Sequence, residues 1–282
     1  MTIEPYDDDY EDQNNRAIHV RKIPSERSLN KAKKPGKSTQ RQENHTASEE
    51  LPQFSYHASR HEASWLYESL GDFLENQWIA DVLSMIKGGK EAAVYRCVPD
   101  PHMHVEALAA KVYRPRLFRS LKNDHVYRQG RSNLDSNGHL IKDDGMLHAI
   151  AKKTEYGREL MHSSWIEYEY QNMLLLKAAG ADVPQVYARG KNAMLMDFIG
   201  YAGQPAPLLN DVQLERNEAN LLFERVLRNI QIMLENNRVH ADLSAYNILY
   251  CDAGITLIDF PQTIDPRENH NAAWIFARDV RR

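Results

Sequence analysis

Cysteine is nearly missing from this chain of 282 residues, with only Cys97 and Cys251 present. Two thiols build neither a disulfide framework nor a zinc site. Both fall in stretches that read as strands, so two buried thiols in a reducing cytosol are expected. Long apolar runs are missing too, and no segment is long enough to cross a bilayer. The N-terminus, MTIEPYDDDYEDQ, is acidic and has no apolar core for a signal peptide. Excess charge is lacking as well: a formal net charge of −4 gives no global attraction to nucleic acid. No internal repeat recurs, which excludes a solenoid. The expectation is a globular, cytoplasmic protein without membrane contact, and 42% hydrophobic residues suffice for its core.

Residues 1–50 read as a disordered charged tail. Acidic residues from Glu4 to Asp12 precede basic ones from Arg16 to Arg41, and large apolar residues are scarce. A solvated, charge-balanced tail is one reading; contact of its basic half with RNA or an acidic partner is the other. Residues 51–282 read as the folded part, either one large domain or two small lobes. Leu66, Leu70, Phe73 and Leu74 recur at helical spacing. Next come a strand ending at Gly88-Gly89, a second strand through Val94, and a third, VEALAAKVYR, carrying Lys111. Residues 115–155, rich in Lys, Arg, Asp, Asn and Gly, read as a flexible loop. A helix follows around ELMHSSWIEYEYQNMLLLKAAG, capped by Gly180. A hairpin, a helix with Leu222, Val226, Ile230 and Met233 on one face, a second hairpin turning at Asp252-Ala253-Gly254, and a short last helix complete the pattern.

Four signals carry chemistry. The turn IKGGKEAAVY could bring backbone N–H groups close to phosphates, or be only a hairpin turn. Lys111 stands among small apolar neighbours, and strand alternation allows it an anion or solvent. Glu169 shares a helix face with Trp165, Ile166 and Met173, whereas Glu167, beside Ser163, Ser164 and Gln171, is expected to face water. A carboxylate on the apolar face wants a cation, for which Lys111 is the candidate; a glutamate with its head in water is the alternative. Fourth, VHADLSAYNILY places Asp242 and Asn247 five apart, and Asp259 ends a strand twelve residues later. A hairpin between Asn247 and Asp259 brings them to one end, where a carbonyl and a carboxylate suit Mg²⁺. Asp242, to one side, can orient or deprotonate a hydroxyl. In this order the four read as phosphoryl-transfer parts rather than an Asp/Asn turn network.

The same stretches resemble the RIO family of atypical Ser/Thr protein kinases, from about Leu66 to Asp265. GKEAAVY is similar to the family's phosphate loop, WIEYEYQNM to its tryptophan-and-glutamate helix, and LMDFIG to its hinge, with Asp197 in place of Glu. VHADLSAYNILY is similar to its catalytic loop and LIDFPQTID to its metal loop, while the lead-in LYESLGDFLENQWIADVLSMI resembles the type-one branch. The resemblance implies an α+β, two-lobed protein-kinase-like fold, with an N-terminal lobe over about 60–196 and a C-terminal lobe over about 200–282 that is trimmed and lacks the usual activation and substrate-binding helices. It implies ATP and Mg²⁺ (or Mn²⁺) as cofactors, a protein substrate, Asp242 as the catalytic aspartate, and Asn247 and Asp259 as metal ligands. Asp259 is also implied to take up phosphate, so that the enzyme could act as an ATPase switch. Nucleotide contacts are implied for Lys87, Gly88, Gly89, Lys90, Glu91, Val94, Lys111, Glu169, Met196, Phe198 and Ile199. Lys87-Gly88 departs from the family's Ser-Thr. The alternatives are a nucleotide-gated ribosome-assembly factor that touches a ribosomal particle or RNA, and a small-molecule kinase of the aminoglycoside or choline type.

Overall fold

The computed structural model describes residues 54–89, 91–114, 126–127 and 129–281. The expected charged tail therefore lies outside the described residues, as do Lys90 and the first part of the expected flexible loop.

Helix α1 (Arg60–Glu75) is followed by strands β1 (Ile79–Gly88), β2 (Ala92–Pro99) and β3 (Leu108–Tyr113). Helices α2 (Asp144–Ala151) and α3 (Glu155–Ala178) come next, then β4 (Val186–Arg189) and β5 (Ala193–Asp197). These strands form one antiparallel sheet in the order β1-β2-β3-β5-β4. A small hairpin of β6 (Gly200–Tyr201) and β7 (Gln204–Pro205) leads to helix α4 (Arg216–Glu235). A second hairpin, β8 (Ile248–Cys251) with β9 (Gly254–Leu257), precedes the last helix, α5 (Ala272–Arg281). Among the described residues no helix is long and apolar enough to cross a membrane.

Strand alternation sorts the core. From β3, Leu108, Ala110 and Val112 pack with Leu66, Leu70 and Phe73 of α1 on one face of the sheet. Ala109 and Tyr113 face the other way, into a cluster with Trp165, Ile166 and Met173 of α3 and with Leu243, Ile248, Leu257 and Phe260 of the second lobe. Lys111 lies between Ala109 and Tyr113 in the period of two, so it shares their inward face. The choice between anion and solvent is thereby decided for the anion.

Helix α3 begins at Glu155, earlier than the apolar pattern suggests, because Thr154 caps it by accepting the Gly157 N–H at 3.0 Å. It ends where Gly180, at φ +84°, adopts the left-handed conformation expected of it. The segment read as a flexible loop over 115–155 contains helix α2, capped by Asp143, which accepts the Met146 N–H at 2.8 Å. Upstream of α2 the chain is tied down as well. Arg131 donates to the carbonyls of Pro261 and Thr263 at 2.8 and 3.0 Å and lies 4.1 Å from the centre of the Tyr168 ring.

Candidate functional site

The site is built where the inward face of β3 meets α3 and the end of the β8–β9 hairpin. Lys111 Nζ donates to Glu169 Oε1 at 2.7 Å and to Asp259 Oδ1 at 2.8 Å. Glu169 is only 1% exposed, and its carboxylate accepts further bonds from the Tyr113 hydroxyl at 2.9 Å and the Phe260 N–H at 3.3 Å. One carboxylate thus joins β3, α3 and the segment after β9. Tyr113 is itself fixed by an edge-on contact with Trp165, ring centres 5.2 Å apart. Sequence reasoning anticipates neither Tyr113 nor the Phe260 N–H. A signal for Tyr113 exists, since it stands two residues after Lys111 on one strand and must share its face.

Burial works against the Lys111 ammonium, but Asp259 and Glu169 outweigh it and hold the amine protonated well above its ordinary range. Burial likewise works against the Asp259 charge, yet Lys111 beside it keeps the carboxyl below the usual carboxylate range. Nearly half of the Asp259 side chain is accessible, at 47%. Its backbone sits at φ 71°, in the left-handed region that an aspartate enters only under local constraint.

The hairpin brings Asn247 beside Asp259 as the spacing requires. Ile248 pairs with Leu257, and the Ile258 N–H donates to the Asn247 carbonyl at 2.9 Å. The Asn247 side-chain amide donates to the Asp242 carbonyl at 2.9 Å and to its Oδ2 at 3.1 Å. This turns Asn247 Oδ1 away from Asp242. His240 lies beneath the loop as a structural residue: buried, its Nε2 is 3.1 Å from the Ile258 carbonyl, and its ring is 4.8 Å from that of Phe260. Burial lowers its pKa.

Lys87, Gly88 and Gly89 are exposed at the end of β1, and Lys87 is near enough to add to the pull on Asp259. The Gly89 N–H closes the turn onto the Ala92 carbonyl at 2.9 Å, and a Cβ at Gly89 would meet that oxygen at 2.9 Å. Val94 and Met196 border the cluster beneath the sheet, and Phe198 packs against the same cluster. At the hinge, the Asp197 N–H is taken by the Gln185 carbonyl and the Ile199 carbonyl by the Ala206 N–H, both at 2.9 Å. The Asp197 N–H is therefore already used, whereas the Ile199 carbonyl keeps a second lone pair. The Glu91 carbonyl accepts the Arg114 N–H at 2.8 Å, which ties the start of β2 to the end of β3.

Glu167 requires a correction. Rather than facing water, it is 2% exposed and lies 3.0 Å from Arg189, with Gln171 donating to it at 2.8 Å. Helical spacing shows only neighbours on the same helix, and the burying cation comes from β4.

Among the described residues, no group of three or more His, Cys, Asp or Glu side chains could hold a metal. The oxygens of Asn247 and Asp259 fit a hard cation such as Mg²⁺, which fills its remaining positions with water and phosphate oxygens rather than with a protein cage.

A family model described as the RIO domain matches residues 93–282, more than half of the chain. The human serine/threonine-protein kinase RIO1 is 28% identical over 193 residues, which cover 68% of this chain and 31% of that protein. The RIO-type serine/threonine-protein kinase Rio1 of Methanocaldococcus jannaschii is 28% identical over 201 residues, 70% of this chain and 59% of that one. Human RIO3 is 36% identical over 118 residues, 42% of this chain and 22% of its own length. The chain thus spans less than two thirds of the length of these relatives. Among solved structures, the Rio2 kinase-ADP/Mg²⁺-phosphoaspartate complex from Chaetomium thermophilum superposes with a TM-score of 0.53 at 20% identity, covering 78% of this chain and 58% of that one. This likeness speaks for the fold, which is α+β and protein-kinase-like. By the match over its β2-to-α5 region, the chain belongs to the RIO domain family.

Proposed function

We propose that the protein is an ATP- and Mg²⁺-dependent phosphotransferase of the RIO type that phosphorylates Ser or Thr hydroxyls of a protein. The observation that carries this reading is the Lys111 ammonium held between Glu169 and Asp259, at 2.7 and 2.8 Å, beside the Asp242–Asn247 pair. Phosphoryl transfer depends mostly on positioning and on neutralising charge. Glu169 fixes the direction of Lys111, whose ammonium then holds phosphate oxygens. Asp242 orients the attacking hydroxyl and accepts its proton. The exposed turn at Gly88-Gly89, with Lys87, covers the phosphates, and the adenine lies between Val94 and the hinge at Met196, Phe198 and Ile199. Asn247 Oδ1 and the Asp259 carboxylate would hold the metal, which when bound neutralises the charge on the phosphates; Mn²⁺ fits the same oxygen donors.

Asp259 takes a second part in one variant of this chemistry. Its accessible carboxylate would attack the terminal phosphorus of ATP, forming an O–P bond as the bond to ADP breaks, and water would later release inorganic phosphate. The Rio2 kinase-ADP/Mg²⁺-phosphoaspartate complex from Chaetomium thermophilum favours this ATPase-switch variant. In that mode turnover would reset a binding cycle, as an assembly factor requires. The relatives are named as protein kinases, which disfavours a small-molecule substrate. Two free cysteines fit a cytoplasmic setting.

The test is ATP turnover and autophosphorylation with Mg²⁺ in wild type, Asp242→Ala and Asp259→Ala. Each substitution is expected to lower the rate by about a thousandfold, since it removes an interaction made in the transition state. Equal rates in the three proteins overturn the reading.

A further inference from the structure

Lys111 is shared between two carboxylates, Glu169 at 2.7 Å and Asp259 at 2.8 Å. On the proposed chemistry Lys111 turns to phosphate oxygens and Asp259 to a metal. The contact between them must then open, while the contact of Lys111 with Glu169 persists. Glu169 therefore needs a hold that does not depend on Lys111. The side chain placed to supply it is Tyr113, which the proposed chemistry does not otherwise use.

Tyr113 is fully buried, two residues after Lys111 on the same face of β3. Its hydroxyl donates to Glu169 Oε2 at 2.9 Å, whereas Lys111 and the Phe260 N–H both approach Oε1. A carboxylate held at one oxygen can swivel about its last bond; held at both, its plane is set. The Tyr113 ring adds to the arrangement, since its centre lies 5.5 Å from Lys111 Nζ, within reach of a cation–π attraction.

Tyr113 is anchored by groups outside the lysine cluster. Its N–H donates to the Asn192 carbonyl at 2.8 Å, its backbone pairs with Ala92 of β2, and Trp165 meets its ring edge-on at 85°. Burial and the adjacent Glu169 push the hydroxyl well above its ordinary range, so it stays a donor at neutral pH. A phenylalanine would fill the same space and keep the Trp165 contact with less to desolvate. What the hydroxyl adds is the second hold on Glu169. We propose that Tyr113 is a positioning residue whose hydroxyl locks the Glu169 carboxylate, so that Lys111 stays aimed at the nucleotide phosphates once it leaves Asp259. This inference rests on the reading of Lys111 as the residue that holds phosphate.

The experiment uses the full chain as wild type, Tyr113→Phe, Lys111→Met and the double variant. Calorimetry with Mg²⁺ reads binding of a non-hydrolysable ATP analogue, and displacement of that analogue reads binding of adenosine, which offers Lys111 no phosphate. Tyr113→Phe is expected to weaken the analogue by about fivefold or more and to raise KM for ATP likewise, with adenosine within about twofold of wild type. In the Lys111→Met background, Tyr113→Phe should change affinity for the analogue by less than about twofold, because the group it aims is gone. A merely structural role would weaken adenosine and the analogue alike, or weaken the analogue as much without Lys111, and either result overturns the inference. Failure of Tyr113→Phe to fold also overturns it, since the hydroxyl would then be a requirement of the fold. Wild-type affinity in Tyr113→Phe beside a weakened Lys111→Met overturns the inference alone. Wild-type affinity in Lys111→Met overturns the phosphate-holding reading beneath it. If Lys111→Met does not fold, the contrast between analogue and adenosine in Tyr113→Phe decides.

Discussion

Glu169 offers the sharpest energetic test of the site, because three donors converge on one buried carboxylate. Glu169→Gln keeps the shape and removes the charge. The glutamine oxygen must face Lys111 and the Phe260 N–H, since both only donate. The amide group then meets the Tyr113 hydroxyl, which can turn to accept. No donor is orphaned, but a charge-assisted bond becomes an ordinary one, a loss of about 1–2 kcal/mol. At about 2–4 °C per kcal/mol for a chain of this size, the Tm should fall by about 2–8 °C. Glu169→Ala instead leaves the Tyr113 hydroxyl and the Phe260 N–H without the carboxylate and Lys111 with Asp259 alone, at a cost of about 3–5 kcal/mol. Thermal unfolding followed by circular dichroism ranks the two, and both should raise KM for ATP as Lys111 loses its fixed direction. If both variants unfold within about 1 °C of wild type, Glu169 is not the anchor that the contacts describe.

The buried Glu167–Arg189 pair, at 3.0 Å, makes a related prediction. Arg189→Met should lower the urea-derived stability by about 3–5 kcal/mol by stranding a buried carboxylate, while adding Glu167→Met should restore most of it. Burial of His162 lowers its pKa to about 4, from an ordinary value of 6.5. Between those values the unfolded chain binds a proton that the folded one does not, so stability should fall as pH drops through this window, and His162→Gln should flatten that slope. Asp259 has the depressed-carboxyl sign: its contribution is present above the unfolded carboxyl range and is lost as pH falls through the lowered folded value. An acid titration of Tm should therefore be steeper at its low end in wild type than in Asp259→Asn. At the turn proposed to cover the phosphates, Gly89→Val forces a Cβ to within 2.9 Å of the Ala92 carbonyl. Calorimetry should read weaker nucleotide binding by about tenfold, with little change in Tm, because the turn is exposed.

Sequence patterns carry whatever depends on near neighbours along the chain. The period of two on β3 and the hairpin spacing from Asn247 to Asp259 are local, and both lead to contacts that exist. Local patterning fails where burial comes from afar. Glu167 has polar helix neighbours, so its ring of contacts looks solvated, but Arg189 approaches from another element. Helix α2 escapes detection for the opposite reason: none of its residues is buried, so its short apolar pattern is submerged in a polar stretch. Backbone strain is invisible too, because nothing in the letters Ala241 or Asp259 announces a positive φ. The strain at Ala241 is informative because of what holds it. An alanine forced left-handed beside the predicted catalytic aspartate needs a restraint, and the restraint found is an arginine 37 residues away on the last helix.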